Sequence, residues 1–181
     1  MTGTADDASL QGWLERVRSE YWEQLGRPDS SGGLPGCSHV LFEVAGARFA
    51  IEAPLCKGVL RRPRTTRLPG LPEYLLGVAG IRGEVVSVVD PKSFLALPGV
   101  RAAGLEGYLL VVASGEVKAA LWVDRVNDVV DLAVGEVLAA EVPWAGLPKG
   151  VLLGQWGEGE TAVFVLDGEK LLRMSAVGEG G

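Results

Sequence analysis

The 181 residues are 48% hydrophobic and 22% charged, a balance that supplies a buried core and is too polar for a protein embedded in lipid. A formal net charge of −6 argues against a general nucleic-acid binder, whose phosphate contacts need a basic face. Two cysteines, Cys37 and Cys56, and one histidine, His39, are too few for a disulfide framework or a structural zinc site, so free thiols and no metal or cofactor are expected.

The chain opens Met-Thr-Gly-Thr-Ala-Asp-Asp, without the basic and apolar regions of an export signal, and no apolar run approaches the roughly 18 residues a membrane helix needs. A cytoplasmic protein with no direct membrane insertion is expected. Leu10, Trp13, Leu14, Val17, Tyr21 and Leu25 recur at helical spacing opposite Glu15, Arg16, Arg18 and Glu23, which predicts an amphipathic helix over 5–26. Gly26-Arg27-Pro28 ends it, and a Gly/Pro/Ser-rich linker follows to Gly36, so residues 1–37 read as an appendage to a main domain over 38–175.

From His39 the periodicity changes to short β-type runs. Val40–Val44 and Arg48–Ile51 flank a turn at Ala45-Gly46-Ala47 and form a hairpin. Further strands are predicted at Cys56–Leu60, Leu75–Ile81, Glu84–Val89, Tyr108–Ala113, Val117–Val123, Val126–Leu132, Gly150–Gln155 and Thr161–Leu166. Pro91–Leu97 and Asp167–Arg173 carry Leu or Phe at helical spacing behind an Asp or Pro start and are predicted as short helices. Each closes a block that ends in similar residues, Val88-Val89-Asp90 and Val165-Leu166-Asp167. This predicts an internal repeat of two small barrels, the first over about 38–97 and the second over about 106–173, before a Gly-rich tail at 176–181.

The stretch Gly77 to Asp90 places two β-type runs around the step Arg82-Gly83, which puts one cation at the rim of a sheet and no catalytic group beside it. Arg82 is either a docking residue or an arginine satisfied locally by carbonyls or by Asp90. Lys57, Arg61, Arg62, Arg64 and Arg67 crowd one segment with Tyr74 as the nearest aromatic. They form either a solvated loop or a cationic patch for an acidic protein partner. Asp90, Asp124 and Asp167 each end a strand, where Asp caps backbone donors. With no second His and no Gly-rich phosphate loop, an enzyme has no residues to stand on.

Three separated stretches together resemble the CheW-like domain, the coupling-protein module of bacterial chemosensory arrays. Gly77 to Asp90 is similar to its Gly-Val-x-Asn-Leu-Arg-Gly-x-(apolar)-x-Pro-Val-x-Asp signature. Ala119 to Val129 is similar to Gly-Leu-x-Val-Asp-x-Val-x-x-Val, and Val163 to Leu172 to the terminal Leu-Asp-x-x-x-Leu-Leu. The resemblance implies a mainly β fold of two intertwined five-stranded SH3-like barrels with an apolar groove between them, carrying short helices and here an extra N-terminal helix. It implies adaptor work without catalysis, joining the regulatory domain of a CheA-type histidine kinase to the cytoplasmic tip of a chemoreceptor. Arg82 matches the signature arginine of partner coupling, Val126 and Val129 match groove positions, and Cys56, Gly58 and Val59 fall on the Val-x-Glu-Ile motif of the opposite wall.

The chain departs from the family pattern where Gly58 replaces the Glu of that motif, Cys56 its Val, Gly80 the Asn before Leu-Arg-Gly, and Ser87 the Pro. Loss of the Glu beside Lys57, Arg61 and Arg62 reverses the local charge. This leaves open an array coupler with an altered receptor, or a divergent scaffold in a pathway for surface motility, development or gene regulation that has lost one partner. A monomer or weak dimer is expected, since the domain is large enough to bury its own core.

Overall fold

The computed structural model describes residues 36–61, 64–98, 107–133, 135–140 and 146–176. The helix expected over 5–26, its linker up to residue 35, Arg62 and the tail beyond 176 lie outside these residues.

Strands β1 (Cys37–Val44) and β2 (Ala47–Glu52) form the first hairpin, and their tight turn is left-handed at both Ala45 (φ 52°) and Gly46 (φ 81°). That geometry matches the natural twist of paired strands. A single 3-10 turn leads to β3 (Cys56–Arg61), then β4 (Thr65–Thr66), β5 (Leu75–Ile81), β6 (Glu84–Val89) and helix α1 (Pro91–Phe94). The second half runs through β7 (Tyr108–Ser114), β8 (Val117–Val123), β9 (Arg125–Leu132), β10 (Leu152–Trp156), β11 (Val163–Leu166) and helix α2 (Gly168–Ala176).

The anticipated strands are present, with local differences. β4 was not legible because it is two residues long and exists through its pairing with β5. Gly150 precedes its strand, which starts at Leu152, and Thr161 belongs to a 3-10 turn rather than to β11. The helix expected over Pro91–Leu97 stops at Phe94. There the amide of Leu97 donates to the carbonyl of Lys92 and that of Ala96 to Ser93, with Ala96 left-handed at φ 53°. This is a Schellman stop, made here without the usual glycine.

Two sheets result, one ordered β10-β11-β2-β1-β9 and the other β3-β7-β8-β6-β5-β4. The second thus has a sixth strand where five were expected. Each sheet draws on both sequence blocks: the β1–β2 hairpin joins the last three strands of the chain, and the β7–β8 hairpin joins β3 to β6. Parallel pairs make the exchange, β11 with β2 and β6 with β8. The registers superimpose the halves residue on residue. Val165 lies opposite Ala50 as Val88 lies opposite Ala120, Leu41 faces Asp128 as Val111 faces Gly58, and Gly154 faces Val165 as Gly77 faces Val88.

Strand alternation divides the apolar residues among three cores. The largest lies between the sheets, where Val40, Phe42, Phe49 and Ile51 join Val59, Leu110, Val112 and Leu121, closed by Leu95, Leu171 and Leu172. The rings of Phe42 and Phe49 stack at 5.8 Å. The intervening residues build a smaller core in each sheet, around Ile81, Val88, Leu109 and Val111 in one and Ala50, Leu132, Val163 and Val165 in the other. Asp90 and Asp167 cap the helices that close the shared core: their carboxylates accept from the amides of Lys92 at 3.1 Å and Lys170 at 2.9 Å.

Candidate functional site

The β5–β6 connection reduces to Arg82 and Gly83, with Ile81 paired directly to Glu84. Both turn residues are left-handed, Arg82 at φ 50° and Gly83 at φ 84°. Glycine takes this conformation freely, whereas an arginine there costs roughly 1–2 kcal/mol of backbone strain. No burial compensates, because Arg82 is exposed. Among the described residues it makes no hydrogen bond or ion pair, and Asp90 is engaged at the far end of β6 as the helix cap. The local-satisfaction reading of Arg82 therefore finds no partner among the described residues.

Arg82 opens onto a cleft of about 140 Å³ whose floor is Leu60, Ile81 and Val111 and whose rim is Lys57, Gly58, Glu84 and Lys118. The cleft exists because β3 bulges at Lys57: Cys56 faces Val112 and Gly58 faces Val111, so one residue is extra. The bulge turns Lys57 out, where its ammonium donates to the carbonyl of Pro54 at 2.6 Å. Lys118, reaching in from β8, pairs with Glu84. Three cations thus meet one carboxylate over an apolar floor. A larger groove of about 720 Å³ lies beyond that ion pair, shares Glu84 and Lys118, and includes the exposed side chains of Leu68 and Val85.

The sequence-derived site separates into two places. Gly58 and Arg82 come together at the cleft, with Lys57 of the basic segment. Cys56, Val59 and Val126 instead sit inside the shared core at 6%, 1% and 7% exposure, and the half-buried Val129 packs against it. These four support the wall rather than line an open surface. Burial pushes the Cys56 thiol far above its ordinary range, with the nearby Glu52 adding to the shift, so it is an inert neutral group. Burial and the charges of Glu52 and Asp131 also raise Cys37. Arg61, Arg64 and Arg67 are exposed but do not line the cleft. Lys118 and Glu84 carried no sequence signal, since only cross-strand register brings them to Arg82.

Among the described residues no group of His, Cys, Asp and Glu is placed to hold a metal ion, and no helix is long and apolar enough to cross a membrane. Two sheets that exchange hairpins, with an exposed arginine unpaired among the described residues over an apolar-floored cleft, define the class of the fold as a double-sheet β protein. A family model for the CheW-like domain matches residues 38–176, and the chain belongs to that family. Its members are chemosensory scaffolds and adaptors rather than enzymes.

The chain is similar to the chemotaxis protein CheW of Bacillus subtilis, at 30% identity over 56% of this chain and 64% of that protein, a little under two thirds of its length. It is 25% identical to CheW of Klebsiella aerogenes over 78% of this chain and 85% of that one. Protein FrzA of Myxococcus xanthus is 29% identical over 74% and 84%. The crystal structure of the scaffolding protein TtCheW from Thermoanaerobacter tengcongensis shares the fold, with a TM-score of 0.65 over 78% of this chain and 90% of that one at 19% identity.

Proposed function

We propose that this protein is a non-enzymatic chemosensory adaptor that couples the regulatory domain of a CheA-type histidine kinase to the cytoplasmic tip of a chemoreceptor. The observation that carries the reading is Arg82. It is held exposed in a strained left-handed turn, free of partners among the described residues, at the signature position of a family of scaffolds. Ala45 takes the same left-handed conformation in the β1–β2 turn, so the hairpin accounts for the backbone, and the exposed guanidinium without a partner among the described residues is what supports docking. The protein then works in the cytoplasm as a monomer or weak dimer, recruited to membrane-associated receptor arrays through its partners.

The test is calorimetric titration, at modest salt, against the kinase regulatory domain and separately against a receptor cytoplasmic hairpin, each repeated with Arg82→Ala. Binding to both, weakened about tenfold or more by the substitution, is expected for a buried charged contact. Binding to neither partner would sink the reading. The excess of cations around Gly58 favours one variant of it, a divergent scaffold that has given up the receptor, and binding to the kinase alone would identify that case.

A further inference from the structure

The internal repeat supplies a control for the Arg82 cleft. At the equivalent place in the other sheet, Leu41, Arg48 and Asn127 line a cleft of about 410 Å³, standing where Val111, Lys118 and Lys57 stand around Arg82. Both edge strands carry the same one-residue bulge, at Asn127 in β9 and Lys57 in β3. The two rims differ in charge. Around Arg48 the chain provides its own carboxylate: Glu43 pairs with Arg48 at 3.5 Å and accepts from Asn127 at 2.9 Å, while Asp128, next to the bulge, accepts from the amide of Val129 at 2.8 Å. In the Arg82 half the residue standing for Glu43 is Ala113 and the residue standing for Asp128 is Gly58. Both acids are missing there, and Lys57 adds a cation where the other half has the neutral Asn127.

Gly58 is not required by its backbone. It has no left-handed φ, and a Cβ built on it would meet nothing within 4 Å. The position is an open space beside Lys57 and Arg82, above apolar side chains. Arg82 has no internal counter-charge among the described residues, Lys57 has only a carbonyl, and Glu84 is already engaged by Lys118. We propose that this cleft receives a carboxylate side chain of a protein partner, lodged over Gly58 between Lys57 and Arg82, supplying in trans the counter-charge that Glu43 gives Arg48 in cis on the other sheet. The inference rests on the adaptor reading above and adds the chemistry of the contact: the partner presents an acidic residue flanked by apolar ones, matching the floor of Leu60, Ile81 and Val111.

Gly58→Glu and Gly58→Gln test it in the full chain, titrated against the kinase regulatory domain and the receptor hairpin, with circular dichroism to confirm the fold. Gly58→Glu supplies the carboxylate from within and repels an incoming one, so affinity for the partner that uses the cleft should fall about tenfold or more. Gly58→Gln, equal in size, should stay within about threefold of the parent. Equal weakening by both variants would mean that only space matters, and no weakening by either would mean that the cleft is not used; both results overturn the proposal. If the parent protein binds neither partner, the adaptor reading fails, and the carboxyl introduced by Gly58→Glu decides the cleft by its titration in NMR. A pKa clearly below the ordinary glutamate value of about 4.3 supports a carboxylate-binding cleft, and an ordinary value overturns it.

Discussion

The β3 and β9 edges hold corresponding places in the two halves and share register, bulge and core contacts, yet they treat charge in opposite ways. Val126 and Val129 on β9 and Cys56 and Val59 on β3 are matched pairs, opposite Phe42 and Val40 in one sheet and Val112 and Leu110 in the other. The fold therefore constrains the inward side of both edges alike. On the outward side of the β9 half Glu43 pairs with Arg48 and accepts from Asn127, whereas the β3 half leaves Lys57, Arg82 and Lys118 with one carboxylate among them. Where two copies of a scaffold agree, the residues answer to packing. Where they diverge without a structural cause, as at Gly58, the proposed partner contact accounts for the difference.

The sharpest structural test of that equivalence uses the matched glycines of the two Leu-Leu-Gly runs. A Cβ on Gly77 would lie 2.1 Å from the carbonyl oxygen of Thr66, and one on Gly154 would lie 2.4 Å from that of Leu138. In both halves a short crossing segment presses backbone onto the glycine, through β4 in one and through the Leu138–Gln155 bridge in the other. Gly77→Ala and Gly154→Ala should each destabilise by more than about 2 kcal/mol in chemical denaturation, because backbone cannot move aside as a side-chain end can. Gly58→Ala, with open space above it, should be neutral or stabilise by up to about 1 kcal/mol. Comparable losses at all three positions would break the distinction between constrained and vacant glycines.

The helix caps give a second matched pair. Asp90→Ala and Asp167→Ala should each cost about 1 kcal/mol, since each removes one acceptor from a helix start, and thermal unfolding of both variants checks it. Arg82→Gly should stabilise the fold by roughly 1 kcal/mol by relieving the left-handed strain while weakening partner binding. Opposite signs in the two assays would separate a functional residue from a structural one.

The smallest effect concerns Cys56, the counterpart of Val126. Its folded pKa is raised, so the native state keeps a proton that the unfolded chain releases near the ordinary thiol value of about 8.5. The contribution is fully present below that value and is lost progressively as pH rises above it. Cys56→Val should remove the component, leaving a shallower decline in stability above about pH 9. Parallel profiles of parent and variant would show that the thiol is not held neutral.

Much of this was legible in the chain. Local alternation located nearly every strand, and the repeated Val-x-Asp endings exposed the duplication. The exchange of hairpins was implied only by family resemblance, since the β6–β8 and β11–β2 pairings join residues far apart in sequence. Within the candidate site, Arg82 and Gly58 were visible, but alternation carried Cys56, Val59 and Val126 into the core. Lys118 and Ala113 acquire meaning through cross-strand register, which has no signature along the chain. Arg62 and the amphipathic pattern over 5–26 fall outside the described residues.

The most direct test of the adaptor claim is sedimentation of the protein mixed with the kinase regulatory domain and the receptor hairpin together. The account predicts a single species containing all three, which Arg82→Ala dissociates without altering the sedimentation of the protein alone. Two partners that displace each other, or that sediment apart from this chain, would contradict it.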